Sequence, residues 1–455
     1  MAQVRITFCG GAQSVTGANY LIETEAGQKL LIDCGLAQGS RFAEDLNYAA
    51  FSYAPAEIDT IIITHAHADH FGRLPKLYQA GFRGRVLTSG GTRDVMEQAF
   101  PDNWQHISEE AKLAGHPPLY SEEDVAGVME LTEGLDYYQP VDLGGGNSMQ
   151  LLNAGHILGS SLVRLEIDGK VLGFSGDLGN SGSLLMPEKD FIKDADYITV
   201  ESAYGGRIHE DKTEREAKLL EALMHVIAHK GALMLPVFAV ERAQEILFVI
   251  NKLVENKIIP VLPVFFDSPL AIEMTRVYRK HQSEFNQAAR DLIASGDDIF
   301  SFPGLQLTET VMESKKINNT PGPKIILAGS GMSTGGRILH HERRYLPGPD
   351  NAIVFVGYQV DGSLGRKILE GQRHVRIYNE SVAVGCVVKA IGGFSGHADQ
   401  PQLVDWVAKA NESGKLKKVF LVQGEDESAI ALSEAIKAKI SVDTAIPKMG
   451  ESFEL

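Results

Sequence analysis

The stretch Ile61-Ile62-Ile63-Thr64-His65-Ala66-His67-Ala68-Asp69-His70 constrains this chain more than any other. A run of β-branched apolar residues favours a buried strand. Directly behind it, three histidines and an aspartate fall within six residues. In extended backbone, alternation sends His65 and His67 to the same side. Asp69 and His70 then turn onto a second position nearby, and Ala66 and Ala68 leave room for close approach. Imidazole nitrogen and carboxylate oxygen are ligands that suit zinc. Ligands divided between two points imply a pair of ions. A histidine-rich surface turn is the bland alternative, but packing alone rarely places four such residues directly after a buried strand.

Further polar groups sit at the tips of apolar strands. Leu30-Leu31-Ile32 ends in Asp33, Val171-Leu172-Gly173-Phe174 leads through Ser175-Gly176 to Asp177, and Tyr197–Val200 closes on Glu201. Asn153-Ala154-Gly155-His156-Ile157-Leu158-Gly159 holds a histidine between glycines, where bare backbone can approach an ion. Any one of these residues alone reads as a cap or a turn. The repetition describes one rim of a sandwich that collects its ligands.

The chain has 455 residues, enough for two or three domains' worth of core. A hydrophobic fraction of 44% and a charged fraction of 22% are ordinary for a globular protein. No apolar run is long enough to span a membrane. The first residues enter a strand pattern directly, without signal-peptide character. Cys9, Cys34 and Cys386 lack metal-type spacing and read as buried thiols, packing being the role expected even of Cys34 beside Asp33. Together these features predict a cytoplasmic protein. With 43 basic and 59 acidic residues the net charge is −16, which excludes coating of nucleic acid through bulk charge. A local basic cleft stays open, because a cleft focuses its own field.

Short strands and glycine turns dominate up to about Tyr204. From there strands alternate with helices: helix Thr213–Lys230, strand Ala232–Phe238, helix Glu241–Asn256, strand Val261–Asp267 and helix Pro269–His281. This rhythm implies parallel βαβ units and a second domain. Lys389–Phe394 then reads as a strand ending in Ser395-Gly396-His397-Ala398-Asp399. The expected division is 1–203 for the first part of one domain, 204–387 for the inserted domain, and 388–455 for the return to the first. There is no internal repeat and no low-complexity tract.

With these residues in view, the chain resembles the metallo-β-lactamase superfamily, and within it the RNA-processing β-CASP nucleases. Asp33 corresponds to the family's first motif, His65-Ala66-His67-Ala68-Asp69-His70 to the second, His156 to the third and Asp177 to the fourth. Glu201 corresponds to β-CASP motif A and His397 to motif B. The resemblance implies an α/β fold, a metallo-β-lactamase αββα sandwich with an inserted parallel-sheet β-CASP domain. It implies two zinc ions, one held by His65, His67, His156 and Asp177, the other by Asp69, His70 and a bridging Asp177. Asp33 would orient a ligand histidine without touching metal. Asp69 would also accept the nucleophile's proton, His397 would assist the leaving oxygen, and Glu201 would position His397. The expected reaction is hydrolysis of RNA phosphodiesters to 5′-phosphate and 3′-hydroxyl ends.

One position departs from the pattern. RNA-cleaving relatives carry a histidine at motif C, and the DNA-processing branch commonly carries valine. Here Leu421-Val422-Gln423-Gly424-Glu425 presents Gln423. An amide oxygen is a weaker zinc ligand than imidazole, so the second position is expected to hold zinc weakly or to take manganese. The absent histidine keeps a DNA nuclease and a catalytically weak RNA-binding paralogue in view as alternatives.

The second domain carries candidates for gripping phosphates. Ser330, Gly331, Met332, Gly335, Gly336 and Arg337 form a Gly/Ser loop between a strand and a helix start, with His340 and His341 following. Such a loop can aim backbone N–H groups at an anion. Tyr358, Gly365 and Arg366 repeat the arrangement, and both segments resemble loops that hold the RNA backbone in this family. The expected partner is RNA contacted through its phosphates, with little base reading. No membrane contact is expected, and protein partners are undefined.

Overall fold

The computed structural model describes residues 3–39, 41–210, 214–360 and 362–455. The chain divides into two compact units, Met1–Ile208 with Gly396–Leu455, and His209–Ser395. Thr213, the expected start of the first inserted helix, lies outside the described residues. That helix is described from Glu214 to His229.

The first unit is built on two seven-stranded sheets. One orders its strands Ser452–Glu454, Arg5–Gly10, Asn19–Glu23, Lys29–Ile32, Thr60–Ile62, Arg85–Ser89 and Thr132–Leu135. The other runs Asp443–Ala445, Lys418–Val422, Tyr197–Glu201, Lys170–Phe174, Ser161–Ile167, Asn147–Asn153 and Val141–Gly144. The core joins both: Phe8, Tyr20, Ile32 and Leu87 from the first meet Met149, Val163, Phe174 and Phe420 from the second. Strand Lys418–Val422 shows how the layers form. Phe420 and Val422 belong to the core between the sheets, while Val419 and Leu421 join a separate cluster with Leu403, Trp406, Leu432 and Ile436. Those last four come from helices Gln400–Ala410 and Asp426–Lys439. A strand covered on both faces must be apolar at every step, which is why Val-Phe-Leu-Val does not alternate. The αββα sandwich is the architecture that results.

The second unit is a six-stranded sheet ordered Leu305–Leu307, Val264–Asp267, Lys324–Ala328, Ala232–Pro236, Ala352–Phe355 and Val387–Ala390. All its pairings are parallel, as the alternation with helices requires. Met234, Ile326, Ile353 and Phe355 pack with Ile338 and Ile368 from helices Ile338–Tyr345 and Leu364–Leu369. Val375 and Val382 join them from an antiparallel hairpin, His374–Ile377 with Glu380–Ala383.

One expectation about the domains is corrected here. The apolar run near residue 390 does not open the returning segment of the first unit. Its strand, Val387–Ala390, pairs in register with Ala352–Phe355 at the edge of the inserted sheet. The division therefore falls after Ile208 and after Ser395. Among the described residues, no helix is long and apolar enough to cross a membrane.

Candidate metal centre

In the first unit, most of the polar groups singled out in the sequence follow the carboxyl ends of strands. Asp33 follows Lys29–Ile32, Thr64 and His65 come just beyond Thr60–Ile62, and Gln423 follows Lys418–Val422. Asp177 comes shortly after Lys170–Phe174, and Glu201 ends Tyr197–Glu201. Carboxyl ends of parallel strands are where α/β sheets place ligands.

Asp33 is the organiser. Its backbone sits in the left-handed region at φ 60°, a conformation Asp tolerates better than most residues. Its Oδ1 accepts from the Thr64 amide at 2.8 Å. Its Oδ2 accepts from the Thr64 hydroxyl at 2.9 Å and from His70 Nδ1 at 2.8 Å. The same hydroxyl oxygen lies 3.0 Å from His65 Nδ1. One buried carboxylate thus orients two histidines, one directly and one through Thr64. Thr64 escaped the sequence reading, because a threonine at a strand end is unremarkable on strand propensity alone.

Four ligand atoms converge. His65 Nε2 lies 3.1 Å from His67 Nδ1, and His156 Nε2 lies 3.2 Å from the same atom. Asp177 Oδ2 stands 3.4 Å from His65 Nε2 and 3.5 Å from His156 Nε2. His156 donates its one ring N–H, on Nδ1, to the Gly396 carbonyl at 3.0 Å, which leaves a lone pair on Nε2. Burial holds His65, His67 and His156 below the usual imidazole range, which keeps their lone pairs free for a cation. Burial pushes Asp177 up, but His70 and His65 outweigh it and keep the carboxyl well below its usual range. In a tetrahedral zinc site with bonds near 2.0–2.1 Å, neighbouring ligand atoms stand about 3.3 Å apart. These four spacings bracket that value and the whole set lies within 4.8 Å, and lone pairs this close repel unless a cation lies among them. This set fits a zinc ion.

Backbone approach makes the cradle tight. A Cβ on Gly35 would stand 1.5 Å from the Asp69 carbonyl oxygen, and one on Gly179 would stand 1.9 Å from that of Gly155. Neither position accepts a side chain.

The second expected ligand group is arranged differently. His70 Nε2 lies 3.3 Å from Asp177 Oδ1 and 3.7 Å from Asp69 Oδ2. Gln423 Nε2 lies only 2.7 Å from the same ring nitrogen. Burial raises Asp69 above the usual carboxylate range. Cys34 is fully buried beside this group, with its amide donating to the His70 carbonyl at 2.7 Å. Burial raises its thiol to about 11, so it packs as a protonated hydrophobe.

Glu201 and His397 form a third group against Asp177. Glu201 is buried; its Oε1 accepts from the Leu178 amide at 2.6 Å and its Oε2 lies 3.1 Å from His397 Nδ1. His397 Nδ1 is also 3.8 Å from Asp177 Oδ2. Burial disfavours charge on the His397 ring, yet the Glu201 and Asp177 carboxylates overcome it and lift the ring to about 9. Burial raises Glu201 itself. The His397 backbone is fixed by its bridge to Gly179 and by the Ala398 amide donating to the Leu178 carbonyl at 2.7 Å.

In the second unit, the phosphate-gripping candidates separate into two kinds. Arg337 and His341 are both paired with Asp267. Arg337 Nη1 lies 2.7 Å from Asp267 Oδ1 and donates to the Thr308 carbonyl at 2.8 Å, and Nη2 donates to that of Glu309. His341, 3% exposed, lies 2.7 Å from Asp267 Oδ2. Gly331 and Gly365 are buried packing positions; a Cβ would strike the Phe238 ring at 2.6 Å or Gln359 Oε1 at 1.9 Å. Ser330 Oγ accepts from the Thr334 and Gly335 amides, so those N–H groups already have a partner. Met332, Gly335, Gly336, His340, Tyr358 and Arg366 keep some exposure.

Comparison with known proteins agrees with this architecture. Residues 15–235 match the metallo-beta-lactamase superfamily, residues 243–368 the Beta-Casp domain, and residues 381–447 the Zn-dependent metallo-hydrolase RNA specificity domain. Ribonuclease TTHA0252 of Thermus thermophilus is 37% identical over 448 residues, covering 98% of this chain and 99% of its own. Transcription termination factor FttA of Methanocaldococcus jannaschii is 30% identical over 455 residues, covering 98% of this chain and 70% of its own. A crystal structure of a protein of unknown function from Enterococcus faecalis aligns over 100% of both chains with a TM-score of 0.57 at 11% identity, a likeness of fold alone. The chain belongs to the metallo-beta-lactamase superfamily, in the branch that carries a Beta-Casp domain.

Proposed function

We propose that the chain is a zinc-dependent ribonuclease that hydrolyses RNA phosphodiesters to 5′-phosphate and 3′-hydroxyl ends. The observation that carries this reading is the Glu201–His397 pair at 3.1 Å, set against an Asp177 that also faces the His65/His67/His156 cluster. It supports a proton donor and a metal-type donor set that share one carboxylate, since His397 Nδ1, His65 Nε2 and His156 Nε2 lie 3.8, 3.4 and 3.5 Å from Asp177 Oδ2. The RNA specificity domain and the likeness to a protein named a ribonuclease support RNA over DNA.

His65, His67, His156 and Asp177 would hold the ion, which supplies charge against the phosphate oxygens and acidifies water. Asp69, raised by burial, takes the proton of the attacking water. His397 gives its proton to the departing 3′ oxygen, and Glu201 stabilises the charged ring beforehand. Lowering the affinity of the leaving oxygen for its bond in this way is general acid catalysis, contributing typically ~10²–10⁴-fold. Exposed groups of the second unit, His340, Tyr358 and Arg366, would contact backbone phosphates. The three cysteines, none in a disulfide, support a reducing, cytoplasmic setting.

Labelled RNA and DNA oligonucleotides of one sequence, incubated with the zinc-loaded chain, test the reading. RNA fragments whose 5′ ends accept ligation directly are the expected outcome. DNA-only cleavage, or RNA fragments ending in 2′,3′-cyclic phosphate, overturns it.

A further inference from the structure

We infer that Gln423 closes the second ion position, so that this chain holds one ion tightly where its family pattern implies two. The inference rests on the metal-dependent reading above for the first ion and departs from it for the second. The argument is one of distances. At the His65/His67/His156/Asp177 set, neighbouring ligand atoms stand 3.1–3.5 Å apart, the spacing that a tetrahedral ion spreads its ligands to. Around His70 Nε2, the Asp177 and Asp69 oxygens at 3.3 and 3.7 Å leave comparable room. Gln423 does not. Its amide nitrogen is 2.7 Å from that ring atom, a hydrogen-bond length and too short to be bridged by an ion.

The contact holds whichever way the amide is turned. An amide N–H donates to a ring lone pair, and an amide oxygen accepts from a ring N–H. Either pairing uses the nitrogen that a second ion needs. The opposite ring nitrogen cannot substitute, because it is bonded to Asp33 at 2.8 Å.

Nor can Gln423 swing away cheaply. Its main-chain N–H donates to the Gly11 carbonyl at 2.7 Å, which fixes where the side chain starts, and the backbone there is held in the left-handed region at φ 47°. The side chain is 3% exposed, with its Cγ 3.3 Å from where a Gly11 side chain would begin. A non-glycine residue in that backbone region is held there by its surroundings. His70 is therefore clamped at both ring nitrogens, by Asp33 on one side and Gln423 on the other, each in left-handed backbone. Gln423 takes the place of an ion as the group that orients His70.

The test is zinc counting. Full-length wild type, Gln423→His and Gln423→Glu are stripped with chelator, reloaded with zinc and dialysed, and bound zinc is measured by native mass spectrometry and elemental analysis. The glutamate variant is nearly isosteric and guards against a histidine variant that fails to fold. Expected are one zinc per wild-type chain and two in a folded variant, the second bound on the order of 100-fold tighter than wild type binds it. Two retained zincs in wild type, or no gain in any folded variant, overturns the inference. RNA cleavage is assayed on the same samples. A wild type with one zinc that cuts no RNA counts against the ribonuclease reading and leaves the metal count standing.

Discussion

Asp33 and His70 share a hydrogen bond of 2.8 Å inside a pocket that excludes solvent from both. Through Thr64 the same carboxylate reaches His65, so one residue that would not touch metal sets one histidine that would, and also the His70 that Gln423 holds. Carboxylates in this position fix the tautomer and raise the basicity of a ligand imidazole. Asp33→Asn keeps the shape and the tolerance for left-handed backbone but replaces one acceptor by a donor. It should lower zinc affinity by roughly 10–100-fold. Competition against a chromophoric chelator measures this. An unchanged affinity would show that Asp33 is only a packing residue.

Asp177 and His397 should separate metal loss from rate loss. Asp177 faces His65, His156 and His70 with its two oxygens, and Asp177→Ala should remove bound zinc and cleavage together. His397 lies against Glu201, with its Nδ1 at 3.1 Å from Glu201 Oε2 and 3.8 Å from Asp177 Oδ2. His397→Ala should keep zinc content within error while kcat on RNA falls about 10²–10⁴-fold. Elemental analysis and single-turnover cleavage on the same samples decide it. Zinc loss in the His397 variant would move that histidine into the ligand set.

How much of this was legible in the sequence depends on how local each signal is. His65, His67, Asp69 and His70 fall within six residues directly behind strand Thr60–Ile62, in a turn that leads into helix Ala68–Phe71, so short chain distance alone brings them near one another. His156, Asp177 and Glu201 stood out because a polar residue at the tip of an apolar strand is conspicuous. Thr64 did not, because its role exists only through Asp33, which lies 31 residues earlier in the chain. The pairing of Arg337 and His341 was hidden for the same reason. Their partner Asp267 is 70 and 74 residues away, and composition cannot show that a basic pair is already neutralised. The strand expected at Lys389–Phe394 overlaps the observed Val387–Ala390 only at Lys389 and Ala390, Gly392–Phe394 being a 3-10 turn, and an edge strand carries no mark of which sheet it will join. Gly331 and Gly365 read as a phosphate loop because glycine serves close packing and anion binding equally well.

Arg337 and Arg366 should behave oppositely although both sit in similar loop-and-helix contexts. Asp267 is fully buried; burial pushes its carboxyl up, but His341, Ser314 and Arg337 outweigh it and hold it at about 2. A depressed acid stabilises the fold above its ordinary range, and this contribution fades as pH falls from about 4 toward 2. Breaking such a buried pair from one side costs about 3–5 kcal/mol. Arg337→Ala should therefore lower the Tm. Arg366 pairs on the surface with Glu370 at 2.7 Å, a contact worth ~0.3–0.5 kcal/mol at most. Arg366→Ala should leave the Tm nearly unchanged and reduce the salt dependence of RNA binding by about one phosphate contact. Thermal melts and binding at a series of salt concentrations check both. A stable Arg337 variant with a reduced salt slope would restore Arg337 as an RNA contact.

Glu342 sets up the clearest dependence on pH. The side chain is completely buried in the second unit, where Oε1 accepts from the Ser333 hydroxyl and Oε2 has no partner among the described residues. Burial pushes its carboxyl up to about 8, only partly opposed by Ser333. The sign follows from linkage. An acid raised in the folded state prefers to keep its proton there, so folding is unhindered below its ordinary pKa near 4.5 and progressively penalised as pH rises toward 8. At pH 7 the penalty is roughly 3 kcal/mol at 1.36 kcal/mol per pH unit. Glutamine keeps an acceptor for Ser333, which itself sits in left-handed backbone at φ 55°, and carries no titratable proton. The second buried end of the amide lowers stability by a constant amount, so the pH dependence is the decisive quantity. Between pH 5 and pH 8 the Tm of the wild type should fall further than that of Glu342→Gln, with the zinc content of the two samples held equal. Parallel curves over that range would place the Glu342 carboxyl in its ordinary range and remove the burial argument.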